Sequence, residues 1–94
     1  MASWAEFQDA APDFGRRVRG LLTTRKHLTM ATLRRDGSPR ISGTEIQLSG
    51  GQLRIGSMTG AVKAKDLLRD PRVAIHGPTH DPQGSGRWRG EAKI

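Results

Sequence analysis

The dipeptide Asp36-Gly37, between two segments rich in apolar residues, is the feature that most constrains the fold. Residues 28–33 read Leu-Thr-Met-Ala-Thr-Leu, and a second such segment covers about residues 40–48. Asp-Gly favours the positive backbone φ angles of a tight turn, and the twist of that turn matches paired strands. The sequence therefore predicts an antiparallel β-hairpin.

Further strands follow the hairpin. Gly50-Gly51 turns the chain, and residues 52–57 alternate polar and apolar side chains, as a half-buried strand does. Beyond a helical segment, the pattern predicts a fourth strand over residues 72–76, a loop over 77–86 and the start of a fifth strand over 87–94.

Three segments have helical spacing. Trp4, Phe7 and Ala11 predict a short first helix, and Pro12 suits the first turn of a second one. The second helix has the apolar stripe Phe14, Val18, Leu21 and Leu22.

The third predicted helix covers residues 59–69, with Thr59 as its N-cap. It ends at Asp70-Pro71, since the residue before a proline disfavours the helical region. Its predicted apolar face consists of Ala61, Ala64 and Leu68, with Leu67 beside them.

This order of elements predicts a mainly β fold with flanking helices, an antiparallel-dominated barrel or partial barrel of about five strands. With 94 residues the chain is short enough for a single domain. We expect a helical segment over residues 1–24 and barrel strands over 27–94, interrupted by the helix. The absence of cysteine excludes disulfides, thiolate metal sites and thiol nucleophiles.

The chain is strongly basic, and residues 15–40 alone carry a net charge of +7. Such a segment attracts phosphate-bearing cofactors, nucleic acid or acidic lipid, although a solvated arginine-rich surface is the simpler interpretation. Nucleic-acid binding is disfavoured, because the sequence has no helix-turn-helix spacing, zinc-finger ligands or aromatic stacking platform.

Other function classes lack support as well. No apolar run approaches the ~18 residues that span a bilayer, and the N-terminus has no signal-peptide pattern, so we expect a cytoplasmic protein without membrane contact. His76, His80 and Asp81 are too few for a convincing metal site, and we predict none.

Two features predict an anion site. The turn Ser57-Met58-Thr59-Gly60 leads into a helix with Lys63 in its first turn, where the helix dipole disfavours a cation by a few tenths of a kcal/mol. A phosphate bound by backbone N–H groups, a hydroxyl and the ammonium would explain this placement, and a solvated lysine is the alternative.

The second feature is the strand from Arg40, in which Arg40, Ser42 and Thr44 share a face. A guanidinium suits phosphate, and Gly43 within a strand marks a bulge or a close approach by a ligand. An edge strand with one solvated end is the alternative.

Several segments together resemble the pyridoxamine 5′-phosphate oxidase-like family of flavin-binding split barrels, in particular its actinobacterial branch, which includes deazaflavin-dependent enzymes. The resemblance covers residues 4–94. It is carried by Met-Ala-Thr-Leu-Arg-Arg-Asp-Gly-Ser-Pro-Arg-Ile-Ser (30–42), Gly-Thr-Glu-Ile (43–46), Leu-Arg-Ile-Gly-Ser-Met-Thr-Gly-Ala-Val-Lys-Ala-Lys-Asp-Leu (53–67) and Asp-Pro-Arg-Val-Ala (70–74).

The resemblance implies a homodimer with a cofactor at each subunit interface. By family analogy the FMN phosphate contacts Arg40, Ser57 and Lys63. The flavin ring packs on the backbone of the second strand, at Ser42, Gly43 and Thr44. Val62 stands where family members often have an arginine, which is consistent with a deazaflavin of the coenzyme F420 type instead of FMN. The predicted cofactor site comprises Arg40, Ser42, Gly43, Thr44, Ser57, Met58, Thr59 and Lys63.

The resemblance also implies an oxidoreductase that transfers hydride through its cofactor to a small-molecule substrate. Family members continue beyond the position of Ile94 with further barrel strands, so the sequence is interpreted as a shortened, incomplete barrel. The alternative function is a non-catalytic cofactor-binding module or a remnant without turnover.

Overall fold

The computed structural model describes residues 2–79 and 90–94. The helices and strands that it contains are α1 (Trp4–Ala10), α2 (Pro12–Leu22), β1 (Leu28–Leu33), β2 (Pro39–Ser49), β3 (Gln52–Gly56), α3 (Val62–Arg69) and β4 (Ala74–His76). The predicted hairpin is therefore confirmed as β1 and β2, and the two N-terminal helices are also confirmed. Across these residues, no helix has both the length and the apolar character needed to cross a lipid bilayer.

The strands form one antiparallel sheet in the order β3-β2-β1-β4. Residues 92–94 continue it beyond β4, because Ile75 and Ile94 exchange backbone hydrogen bonds of 2.8 and 2.9 Å. The predicted fifth strand thus begins to pair here, while its residues 87–89 and residues 80–86 of the predicted loop lie outside the described residues. The open antiparallel sheet with flanking helices confirms the predicted partial barrel.

Alternation along β1 and β2 decides which side of the sheet faces the core. Leu28, Met30 and Thr32 are buried, and on β2 the even-numbered residues from 40 to 48 point the same way. The core cluster consists of Leu22, Leu28, Met30, Ile75 and Ala92. Because side chains alternate in a strand, the odd-numbered residues of β2, including Gly43, lie on the opposite, exposed face.

Two predicted apolar stripes are only partly correct. Phe14 of α2 is 59% exposed and makes an edge contact with Phe7, while Gly15 is buried against α1. Leu68 of α3 is 89% exposed, and Asp66 is buried in its place. In α3 the hydrogen bonds that the Asp66 carboxylate accepts from the sheet override the apolar pattern.

The predicted start of the third helix is wrong. α3 begins at Val62 and its N-cap is Ala61, which makes no side-chain capping bond. The backbone N–H of Ala61 donates to Met58 at 3.1 Å, so a turn occupies the position where Thr59 was predicted to cap.

The contact between Gly77 and the last residues of the chain is too close for any side chain. A Cβ atom on Gly77 would lie 2.9 Å from the carbonyl oxygen of Ala92 and 3.3 Å from Leu22. We therefore expect Gly77→Ala to destabilise the protein by about 1–3 kcal/mol, as overpacked core substitutions do. The measurement is urea unfolding followed by circular dichroism.

Gly20→Ala is the matched control, since nothing lies within 4 Å of the added Cβ on α2. Alanine there raises helix propensity and should stabilise by up to about 1 kcal/mol. Equal effects of the two substitutions would contradict the close approach at Gly77.

Candidate functional site

An open pocket of about 390 Å³ lies between the middle of β2, the end of β3 and the start of α3. It is lined by His27, Gly43, Thr44, Glu45, Gly56, Ser57, Met58 and Lys63. The predicted residues Gly43, Thr44, Ser57, Met58 and Lys63 therefore come together here. Arg40, Ser42 and Thr59 do not line the pocket.

Lys63 links α3 to the backbone of β2. Its Nζ donates a hydrogen bond of 2.7 Å to the carbonyl oxygen of Gly43, and its side chain is half-buried. A hydrogen bond to a charged group contributes about 1.5–3 kcal/mol, which exceeds the few tenths of a kcal/mol that a cation costs at a helix N-terminus. Lys63 is thus held over the strand, and the alternative of a freely solvated lysine is wrong.

The first turn of α3 presents unpaired hydrogen-bond donors. Among the described residues, the backbone N–H groups of Val62 and Lys63 have no acceptor, and no side chain caps the helix. The nearby Ser57 hydroxyl is exposed and has only a 3.4 Å contact with the carbonyl of Met58. Together with the ammonium of Lys63, these donors make the α3 end of the pocket suitable for an anion.

Arg40 is committed to a different partner. Its Nε donates to Oδ2 of Asp66 at 2.7 Å, and the Thr32 hydroxyl donates to the same oxygen at 2.8 Å. Arg69 donates to the other carboxylate oxygen at 3.0 Å. Among the described residues β3 pairs only with residues 45–49 of β2, so at Arg40 the strand is paired by β1 alone. The alternative of an edge strand therefore fits this end of β2, although Arg40 itself is ion-paired with Asp66.

The electrostatics of Asp66 follow from these contacts. The carboxylate is only 2% exposed, yet the hydrogen bond from Arg40, with those from Thr32 and Arg69, lowers its pKa to about 2 against the opposing effect of burial. The ionised carboxylate therefore ties α3 to β1 and β2 across the working pH range. It fixes the helix one turn beyond Lys63.

Sequence reasoning did not include His27, Glu45 and Gly56 in the site. Glu45 lies 3.6 Å from Nζ of Lys26 and 3.8 Å from Nδ1 of His27. The alternation of β2 already placed Glu45 on the face of Gly43, and that signal was available. His27 reaches the pocket because Leu28 pairs with Thr44, a register that the sequence does not specify.

The histidines and aspartate weighed as metal ligands do not form a ligand group in the described part of the chain. His76 contacts the Gly77 carbonyl and Glu91, while His80 and Asp81 lie outside the described residues. Within residues 2–79 and 90–94 there is no cluster of three or more His, Cys, Asp or Glu side chains suited to a metal.

The Asp66 contacts predict acid sensitivity. Because the folded-state pKa, about 2, lies below the ordinary value of 3.8, the stabilisation is present above about pH 4 and is lost as the pH falls towards 2. Asp66→Asn should lower the Tm at pH 7 by at least about 5 °C and reduce the fall in Tm between pH 4 and pH 2. Thermal unfolding at several pH values measures both.

Asp70→Asn is the control, since the pKa of Asp70 is also lowered to about 2, by Arg72, but that arginine is largely exposed. Because solvent screens this ion pair, Asp70→Asn should lower the Tm at pH 7 less than Asp66→Asn does, and it should reduce the fall in Tm between pH 4 and pH 2 by a correspondingly smaller amount. An Asp66→Asn profile parallel to that of the unmodified protein would contradict the role given to Asp66.

The chain matches a known protein family. Residues 14–94 match the family model described as pyridoxamine 5′-phosphate oxidase. Neither the curated proteins nor the solved structures give a match. Because the matched segment covers most of the chain, including the whole sheet and α3, the chain belongs to the pyridoxamine 5′-phosphate oxidase family, whose members typically bind a flavin.

Proposed function

We propose that this chain is a flavin-dependent oxidoreductase domain that binds the phosphate of FMN at the N-terminal end of α3. The observation that carries the proposal is the pocket lined by Lys63 and Ser57, which lies beside the first turn of α3 with its two unpaired N–H groups. Membership of the family supplies the cofactor class.

The residues present fit a phosphate without Arg40. Lys63 supplies positive charge, and Ser57 and the first turn of α3 supply neutral donors, which together can satisfy several phosphate oxygens. Arg40 would have to leave the buried Asp66 to join them, and that would leave an uncompensated carboxylate. We assign Arg40 to positioning α3 instead.

Gly43 fits the proposed position of the flavin ring. A Cβ atom there would meet only the carbonyl oxygen of Leu28, at 4.0 Å, so packing within the chain does not require a glycine. The missing side chain leaves the exposed face of β2 flat at this position, on the side of the strand opposite Thr44. A planar ring can therefore lie against the backbone at Gly43.

Bound FMN would supply the hydride acceptor and donor, and the chain would anchor and orient it. The backbone of β2 at Gly43 would support one face of the flavin ring, and Lys63 would bind the phosphate. A deazaflavin, which also carries a phosphate, is the alternative cofactor, in line with Val62 at a position where relatives often have an arginine.

FMN and a deazaflavin titrated separately into the purified protein test the cofactor proposal through quenching of their fluorescence. We expect Lys63→Ala to weaken binding of the preferred cofactor by about tenfold or more, since it removes a charged hydrogen-bond donor. Lys65→Ala is the matched control because Lys65 is exposed on the same helix and lines no part of this pocket.

Equal losses in the two variants would contradict a specific phosphate site. Turnover of the loaded protein with a chemical reductant and an electron acceptor then separates an enzyme from a non-catalytic cofactor carrier.

We further propose that a second copy of this chain covers the pocket. Ile41, Met58 and Val62 are 76%, 84% and 51% exposed, respectively. Met58 lines the pocket, Ile41 shares the face of Gly43, and Val62 begins α3. Exposed apolar side chains around an open pocket mark an interaction surface, and the family resemblance implies a homodimer.

Sedimentation equilibrium tests this arrangement. The protein should sediment at twice its chain mass of 10.3 kDa, and Ile41→Lys should shift it towards the monomer. Leu68→Lys is the control, because Leu68 is also exposed but does not line the pocket. A monomeric protein, or equal effects of the two variants, would contradict the proposal.

A further inference from the structure

A second cavity, of about 530 Å³, lies at the end of the sheet where β1 begins and β4 ends. Its wall includes Arg25, His27, Thr29, His76 and Thr79. The part formed by Gly77 is fixed, since its backbone N–H donates to Ala92 at 2.7 Å and the residue is buried.

The pairing register places this cavity beside the proposed cofactor pocket. Thr29 lies opposite Gly43 on one side and opposite His76 on the other. His27 lines both cavities. A molecule in the second cavity would therefore be separated from one in the first by little more than this side chain.

Several charged groups around the cavity already have partners within the chain. His76 contacts Glu91 at 3.2 Å, and Glu91 also lies 3.9 Å from Lys93. His27 faces Glu45, which Lys26 also approaches. Both carboxylates thus have cationic neighbours.

Arg25 is different, because it makes no hydrogen bond or ion pair to the described residues and its side chain is exposed. Thr29 is exposed too, and its hydroxyl has no partner among those residues. The cavity therefore offers one guanidinium and a neutral hydroxyl, a donor set that matches a singly charged planar anion.

We propose that this cavity binds a small organic carboxylate through Arg25 and Thr29. We also propose that it is the substrate pocket next to the cofactor, and this second statement rests on the proposed function. A phosphate dianion suits the cavity less well, since it contains neither a lysine nor a helix N-terminus.

Nuclear magnetic resonance of the ¹⁵N-labelled full chain tests the binding step, with sodium benzoate and inorganic phosphate as separate probes. Benzoate should shift the amide signals of Thr29, Gly77 and Thr79 more than those of Ser57 and Lys63, and phosphate should not. Arg25→Ala should raise the Kd for benzoate at least about fivefold, in keeping with loss of a charge-assisted hydrogen bond.

Arg17→Ala, which removes the same charge from the exposed surface of α2, should leave that Kd unchanged within twofold. Equal effects of the two arginine variants would overturn the proposal, as would benzoate shifts centred on Ser57 and Lys63.

A second titration separates this inference from the proposed function. Benzoate added to the FMN-loaded protein should shift the flavin absorption band, and Arg25→Ala should remove the shift while FMN still binds. Benzoate binding without FMN binding would support the carboxylate site and overturn its role as a substrate pocket. FMN binding without benzoate binding would overturn the inference and leave the proposed function standing.

Discussion

The buried carboxylate of Asp66 is the constraint on which the geometry of this protein depends. Three side chains from β1, β2 and α3 donate hydrogen bonds to it, so one ionised group connects the helix with the two central strands. Burying a carboxylate without such donors would be strongly unfavourable. Since all three donors are present, this contact fixes the rotation of α3 about its axis.

The rotation of α3 decides which of its other side chains face the sheet. With Asp66 facing the sheet, Leu67 packs against the core while Leu68 points into solvent. One turn earlier, Lys63 lies over β2 and reaches the Gly43 carbonyl. The same carboxylate holds the side chain of Arg40, while Lys63 lines the pocket beside the first turn of α3.

The two proposed binding sites, for the cofactor and for the substrate, lie next to each other in the sheet and have His27 in common. The first pocket uses the start of α3 and the exposed backbone of β2, and the second cavity uses the start of β1 and the end of β4. Antiparallel pairing brings these strand ends to one edge although they are far apart in the chain. A cofactor and an anionic substrate can therefore lie side by side there, separated by His27.

The sequence alone determined the local structure of this protein. Asp36-Gly37 predicted the hairpin, alternation placed Gly43 on the face opposite Thr44, and Lys63 was correctly placed in the first turn of a helix. These properties depend on neighbours within a few residues, which periodicity and turn preferences describe directly. The open antiparallel sheet also followed from the order of such elements.

Only the tertiary structure decided which polar groups meet. Arg40 and Asp66 are 26 residues apart in the chain, and their pairing depends on how α3 crosses the sheet. Periodicity assigned Leu68 to the buried face because it ranks residues by apolarity. It contains no information on distant hydrogen-bond donors, and in the folded chain these donors allow Asp66 to be buried while Leu68 is exposed.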